Sequence, residues 1–476
     1  MLPIADFLVI IAYLALCVFI GIKVGGKATD TSTYFSSKGK IPWWAISLSI
    51  VAAETSMLTV ISIPAVAYLG TLAFLQIVVG YIVGRVLVSV FMLPHYFAGE
   101  QQTAYTFFSA RFGDNFRKTI SATFLVTRLL ADGIRLFAAA IPIKIITGFD
   151  YPVSIAIMGV LSLAYSFYGG LKSVIWIDVL QLCVYIFGGL YMVAHVIFWV
   201  DVPIFETLRD AGKLTMISLP SSWSEVFLTP YNLVGAFIGG IFLTLASHGT
   251  DQLIVQRLLA CADLKSAQKA LIGSGLFVFI QFALFLTVGL MLFVYYGGAS
   301  IVELGLANND ELVLKFIIEQ VPVGVTGLII AGLFAAAMST ITGSLSALSS
   351  STLFDLVPSL SKKPNAMQWS RGTMVLWTSI FILFAMSFTS KENPIVEIGL
   401  GIAGFTYGAL LGAFMLGRFT KIGTPAAYVG FFTTIISMAF IIFYAGLAFP
   451  WYTLIGCTIY MTTALSYDAI AVKLRG

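Results

Sequence analysis

One carboxylate stands in the middle of an otherwise apolar stretch. Glu54 lies in the run Ala52-Ala53-Glu54-Thr55-Ser56-Met57-Leu58-Thr59, with Pro64 downstream. A carboxylate at that depth in a bilayer is costly to hold and usually has a function. Small and hydroxyl-bearing residues surround it, and a helix interrupted there frees backbone carbonyls that can ligate a cation. For Ser and Thr alone, the competing reading is close helix packing with hydroxyls bonded back to their own helix. A second patch, Ala335-Ala336-Ala337-Met338-Ser339-Thr340-Ile341-Thr342-Gly343-Ser344, offers the same chemistry and the same alternative. Hydroxyl and carbonyl oxygens suit a hard monovalent cation, and there is no His or Cys cluster for a transition metal. One helix rarely supplies all the oxygens such an ion needs, but two oxygen-rich helices can do so jointly.

Further charges fall in apolar segments: Arg85, Arg128, Asp132, Arg135, Lys144 and Asp178. Arg128, Asp132 and Arg135 share one helix face by their spacing. Asp132 can neutralise either arginine, so the set reads as a carboxylate site or as an internal ion pair locking two helices. Arg85 either pairs with Glu54 or faces a cavity. His195 and His248 lie near segment ends and read as hydrogen-bonded structural residues. By depth and helix face, Ser56, Thr59, Gln76, Arg135, Ser247 and Phe405 are the residues that face a solute.

The elements that hold these residues follow from composition. Of 476 residues, 59% are hydrophobic and 10% charged, against about 25% charged in a typical soluble protein. Mean hydropathy is +0.98. Apolar runs of about 20 residues recur along the whole chain, which marks an all-α membrane protein and excludes a β-barrel of alternating strands. With no basic or acidic tail, a nucleic-acid partner is not expected. Spans are expected near 4–23, 42–69, 72–98, 116–147, 151–169, 174–200, 231–248, 267–297, 322–356, 371–389, 394–417, 425–446 and 450–472, thirteen in all. The first lacks a basic leader and a cleavage site, so it reads as a retained span rather than a signal peptide. Cys17, Cys183, Cys261 and Cys457 show no pairing pattern and read as reduced.

Basic residues fall in alternate connections. Lys23, Lys27, Lys38 and Lys40 come first, then Arg111, Arg117 and Lys118, then Lys172. Arg257, Lys265 and Lys269, then Lys362, Lys363 and Arg371, then Arg418 and Lys421, then Lys473 and Arg475 complete the series. The other connections are short or acidic, as with Glu303, Asp310, Glu311 and Glu319. The positive-inside rule puts the N-terminus outside and the C-terminus in the cytoplasm of a cell-membrane protein. Two five-span blocks, 42–200 and 231–417, then enter the membrane from opposite sides, as in an inverted repeat with its site at the midplane. The span at 4–23 and the two at 425–472 lie outside the repeat, and the whole forms a single transmembrane domain.

Four stretches together resemble the sodium/solute symporters, which carry sugars, proline, sialic acid, pantothenate or iodide. They are Ala52 to Thr59 with Ile63-Pro64-Ala65; Tyr168-Gly169-Gly170-Leu171-Lys172-Ser173-Val174-Ile175-Trp176-Ile177-Asp178-Val179-Leu180-Gln181; Gly249 to Ala260; and Ala336 to Thr340. They occur in family order across most of the chain. The resemblance implies a LeuT-type fold and a Na+ site between the first and eighth core helices. Its ligands fall on the carbonyls of Ala52, Thr55 and Ala336 and the hydroxyls of Ser339 and Thr340. It also implies a second Na+ place at Asp178, Ser339 and Thr342, although Gly343 stands where a further serine is expected. Glu54 matches an important acid of the proline transporters, which makes it a coupling candidate. Arg135 falls about one turn from the arginine that holds a carboxylate in the sialic acid transporters.

The expectation is therefore a Na+-coupled symporter importing a small polar organic solute, one that can bear a carboxylate, by alternating access. No obligate protein partner is evident. A Na+- or solute-sensing receptor and a proton-coupled carrier of the same fold are the alternatives. The chain stops at Gly476, a few residues past its last span, which argues against an appended signalling domain. No Ser–His or Cys–His pair at matched depth points to an enzyme, and no filter-like motif points to a channel.

Overall fold

The computed structural model describes the backbone of all residues except 1, 26–29, 36–38, 40, 99–102, 307, 388–394 and 476. Lys27, Lys38 and Lys40 lie outside the described residues, as do the side chains of Tyr168 and Phe405.

The described chain is all-helical. Its main helices are α1 (Ile4–Gly25), α2 (Trp43–Glu54), α3 (Met57–Leu69), α4 (Leu75–Leu87), α5 (Asp114–Thr147), α6 (Tyr151–Trp199) and α7 (Leu233–Gly249). They continue as α8 (Gln252–Leu259), α9 (Leu264–Tyr295), α10 (Val325–Ser351), α11 (Ala366–Ser387), α12 (Ile395–Phe419), α13 (Thr424–Tyr444) and α14 (Trp451–Arg475). Among the described residues, nine helical segments are long and apolar enough to cross a membrane, and the bent pair α2–α3 makes a tenth if taken as one span. Large apolar side chains such as Ile4, Phe198 and Leu474 cover the outside, as expected of a surface that meets lipid rather than water.

The stretch at 42–69 is broken, and the two halves are bent by 66°. Thr55 and Ser56 both adopt extended backbone angles between α2 and α3. The N–H of Thr55 and its hydroxyl both donate to the Val51 carbonyl, at 3.0 and 2.8 Å, and close the first half. The break thus lies at the hydroxyl pair. Pro64 sits inside α3, beyond it.

The segments expected at 151–169 and 174–200 are two helices, labelled together as α6, that meet at a sharp kink where Gly170 leaves helical geometry. Gly170 has φ 57° and ψ −151°, and a Cβ there would lie 2.2 Å from the Tyr34 carbonyl oxygen. Only glycine adopts this corner without strain.

Helix α10 is the axis of the molecule. Of its 27 residues, only Val325 and Leu328 are not buried. It packs most extensively on α6 and also touches α1, α2, α3 and α5. Helix α4 lies along α7, and α9 backs both α2 and α3. The broken pair is therefore held between α9 and α10. Lys213, in the connection before α7, clamps the far end of α3 by donating to the carbonyls of Tyr68 (2.6 Å) and Gly70 (3.0 Å).

Candidate binding site

Glu54 ends α2 at the break. Its two oxygens lie 2.6 Å from Arg85 Nη2 on α4, and Oε1 also lies 2.7 Å from His248 Nε2 on α7. His248 Nδ1 in turn meets the Ser247 hydroxyl at 2.8 Å. Arg85 is wholly buried and donates its Nε–H to Ser274 on α9. A buried guanidinium is tolerated only against a counter-ion, so α4 and α2 must meet at this depth. The Thr55 hydroxyl accepts from Gln281 of α9 at 2.6 Å, which ties the broken segment to that helix.

A cavity of about 330 Å³ opens beside the break. Glu54, Ser56, Thr59, Arg135, Ser247 and His248 line it, together with the aromatic rings of Phe74, Tyr231, Phe282 and Phe449. Phe74 packs on Tyr231 and Phe282 at 5.3 and 5.1 Å between ring centroids, so this aromatic wall is continuous.

On α5, Arg135 donates to Asp132 at 2.5 Å, and Arg128 reaches the other Asp132 oxygen at 3.4 Å. The Ser344 hydroxyl of α10 donates to Asp132 as well. Arg128 also bonds Asp251, which accepts from Tyr407 of α12 at 2.9 Å. The other Asp251 oxygen accepts the Leu253 N–H at 2.9 Å and caps α8. One continuous ion chain therefore runs from the cavity to α8.

A separate buried cluster lies between α2, α6, α8 and α10. Asp178 accepts from Ser49 (2.6 Å), Ser339 (2.6 Å) and Arg257 Nη2 (3.0 Å). Arg257, counted from sequence among the loop charges, is instead 1% exposed. Gly343 explains how it fits: a Cβ there would lie 2.7 Å from Arg257 Nη2. The guanidinium takes the space that a serine at 343 would fill. Cys261, in the bend that follows α8, is buried as well.

Ala52, Thr55, Ala336, Ser339 and Thr340 are buried on packed faces of α2, the break and α10. Thr340 and Thr342 bond back to their own helix, through the Ala336 carbonyl at 3.3 Å and the Met338 carbonyl at 2.8 Å. Glu54, Ser56, Thr59, Arg135 and Ser247 line the cavity. Gln76 is a correction: its amide donates to the carbonyls of Ala73 (3.1 Å) and Tyr231 (2.9 Å) and accepts from the Ser218 N–H, so it braces a connection and lies off the cavity wall. His248, Arg257, Asp251 and Tyr407 were not recognised as part of the site. Asp251 and Arg257 do stand in the Gly249–Ala260 stretch that carries the family resemblance. Arg85 takes the first of its two expected roles and pairs with Glu54. Lys144 ends α5 with its amine 3.9 Å from the centre of the Tyr151 ring.

The family model described as the Sodium:solute symporter family matches residues 34–434. The chain belongs to this family. A sodium/sialic acid symporter of Proteus mirabilis is 28% identical over 460 residues, 95% of this chain and 92% of the relative. The human sodium/iodide cotransporter is 26% identical, with 93% and 68% covered. A solved Na+-coupled sialic acid symporter in a substrate-bound outward-open state superposes with a TM-score of 0.87 at 28% identity, covering 98% of both chains. A nucleobase-cation-symport-1 family transporter superposes with a TM-score of 0.54 at 15% identity, covering 92% and 95%, and shares the fold. As a member of the sodium:solute symporter family, the chain is a sodium-coupled membrane transporter and not an enzyme.

Proposed function

We propose that this symporter imports a small polar organic solute with one Na+ by alternating access, at the break between α2 and α3. The observation that carries the reading is the packing of both halves of the broken pair against the hydroxyl-rich helix α10, with a charged cavity beside the break. The Na+ ligands are the carbonyls of Ala52, Thr55 and Ala336 and the hydroxyls of Ser339 and Thr340. Ser339 gives its hydroxyl proton to Asp178, which leaves its lone pairs to an ion. Ser56, Thr59, Arg135 and Ser247 are the solute-facing residues, Phe405 is a further candidate by its place in the sequence alone, and Glu54 couples solute and ion. For a second Na+ at Asp178 and Thr342 the geometry is unfavourable, because Arg257 already supplies the positive charge there.

In this reading thirteen spans cross the cell membrane, N-terminus outside and C-terminus inside, with inverted repeats at 42–200 and 231–417. Na+ from outside joins the break to α10 and assembles the solute groups. Rocking of one repeat against the other then opens the cytoplasmic side. Each ligand must raise the other's affinity by the same factor. One Na+ crossing about 100 mV releases roughly 2.3 kcal/mol, and a tenfold gradient adds about 1.4 kcal/mol. The roughly 3.7 kcal/mol total supports several-hundredfold accumulation of a solute carrying no net charge.

Thermal unfolding of the purified chain tests the ion site. Na+ should raise the midpoint relative to K+, since a ligand of the native state stabilises it. Ser339→Ala and Thr340→Ala should each shift the Na+ requirement at least about tenfold upward, as for loss of one polar contact to a charged group. An unchanged Na+ response in both would remove the assignment. A second reading, in which protons replace Na+, is favoured by the titratable Glu54–His248 contact at the cavity wall. Solute uptake driven by a pH gradient in Na+-free vesicles would establish it.

A further inference from the structure

Two ion pairs border the cavity, and each is sealed on one side only. In the first, the Arg85 side chain is 0% exposed and Glu54 20%; in the second, Asp132 is 0% exposed and Arg135 32%. Both exposed members line the same cavity. The space therefore meets one carboxylate edge and one guanidinium edge, with the counter-ions hidden behind them. Arg128 also lines the cavity, but Asp132, Asp251 and Tyr407 engage it and its side chain is only 9% exposed, so Arg135 presents the more open guanidinium.

Each edge has capacity left. A carboxylate has about four lone-pair positions. Arg85 and His248 approach Glu54 through three contacts, so an acceptor position remains. A guanidinium has five N–H donors, and Arg135 directs one nitrogen to Asp132. Hydrogen bonds between ionised partners are the strong ones. The cavity, at about 330 Å³, stands at the small end of ligand sites, roughly 300–1,000 Å³.

We infer that the solute is a small zwitterion of the amino-acid type, its protonated amine set against Glu54 and its carboxylate against Arg135. The inference rests on the symport reading above and narrows its solute class. It has an electrical consequence. The four named carboxylates and arginines around the cavity, Glu54 with Arg85 and Asp132 with Arg135, cancel. The Arg128–Asp251 pair cancels as well. Charge moved per cycle is then the sum of the ligands: one positive charge for Na+ with a zwitterion, none for Na+ with a monoanion.

The test uses the full chain, in detergent for thermal unfolding and in vesicles for current. The probes are the twenty standard amino acids, propionate, isopropylamine, galactose and N-acetylneuraminic acid, each in Na+ and in K+. An amino acid should stabilise the protein in Na+ only and evoke a Na+-dependent inward positive current. Its analogues lacking the amine or the carboxylate should bind about tenfold to a hundredfold more weakly. Glu54→Gln should abolish the discrimination against the amine-free analogue, and Arg135→Gln the discrimination against the carboxylate-free one. If either variant fails to fold, the analogue series on the unaltered chain decides alone. Stabilisation in Na+ by propionate, galactose or N-acetylneuraminic acid with none from any amino acid overturns the zwitterion and keeps the symporter. Na+ stabilisation with silence from every amino acid overturns it too. Absence of any Na+ effect overturns the symport reading beneath it.

Discussion

Arg85 shows how much rests on single side chains. It is fully buried, and Glu54 is its ion-pair partner. Removing one member of a buried pair typically costs about 3–5 kcal/mol, because the other charge stays behind unpaired. Arg85→Met should therefore destabilise the purified protein by about that much in chemical denaturation. Arg85→Met combined with Glu54→Met should recover most of the loss while leaving transport inactive. The Glu54–Arg85 contact is legible in the sequence, since two opposite charges at like depth in neighbouring spans have few other partners. His248 is not legible in the same way. It lies 194 residues from Glu54 at the end of a helix, and only the packing of α7 along α4 turns it towards the break. Arg257 is misread for a related reason. A basic residue in a connection rich in lysines looks cytoplasmic, and only the fold of α8 carries it 79 residues back to Asp178.

At the scale of elements, the break between α2 and α3 is readable from its polar centre, but Pro64 is a poor guide to its position. The extended angles fall at Thr55 and Ser56, where a hydroxyl can take over a backbone bond. Pro64 instead marks where α9 comes closest. A Cβ on Gly289 would lie 2.0 Å from the Pro64 carbonyl oxygen, and backbone cannot yield as a flexible side chain can. Overpacking of this kind costs about 1–3 kcal/mol. Gly289→Ala should lower stability by about that amount and slow solute uptake, because α9 supports both halves of the broken pair. Gly372→Ala on α11, where a Cβ meets nothing within 4 Å, is the control and should leave both unchanged. The kink inside α6 falls where the spans expected at 151–169 and 174–200 part. Hydropathy registers the gap near 169–174 but not that the single residue Gly170 makes the corner between the two helices.

For the whole molecule, composition already carries the class, and the alternation of basic connections predicts an orientation, which labelling can check. With the native cysteines replaced by serine, Ser300→Cys should react with a membrane-impermeant maleimide on intact cells. Lys363→Cys should react only after permeabilisation, and the reverse pattern would invert the topology. What the sequence could not convey is how the two ends of the molecule are tied through its middle. Asp251 is one such tie: one oxygen caps α8, and the other holds Arg128 of α5 and Tyr407 of α12. Asp251→Asn keeps an oxygen for the cap but gives up the charge. The expected outcome is a correctly inserted protein that passes Na+ without solute, measured as 22Na+ entry into solute-free vesicles severalfold above the unaltered chain. For a cell, such idle entry is a standing drain on the very gradient the carrier feeds on. A fastening that rests on one carboxylate is thus also a point at which thrift fails.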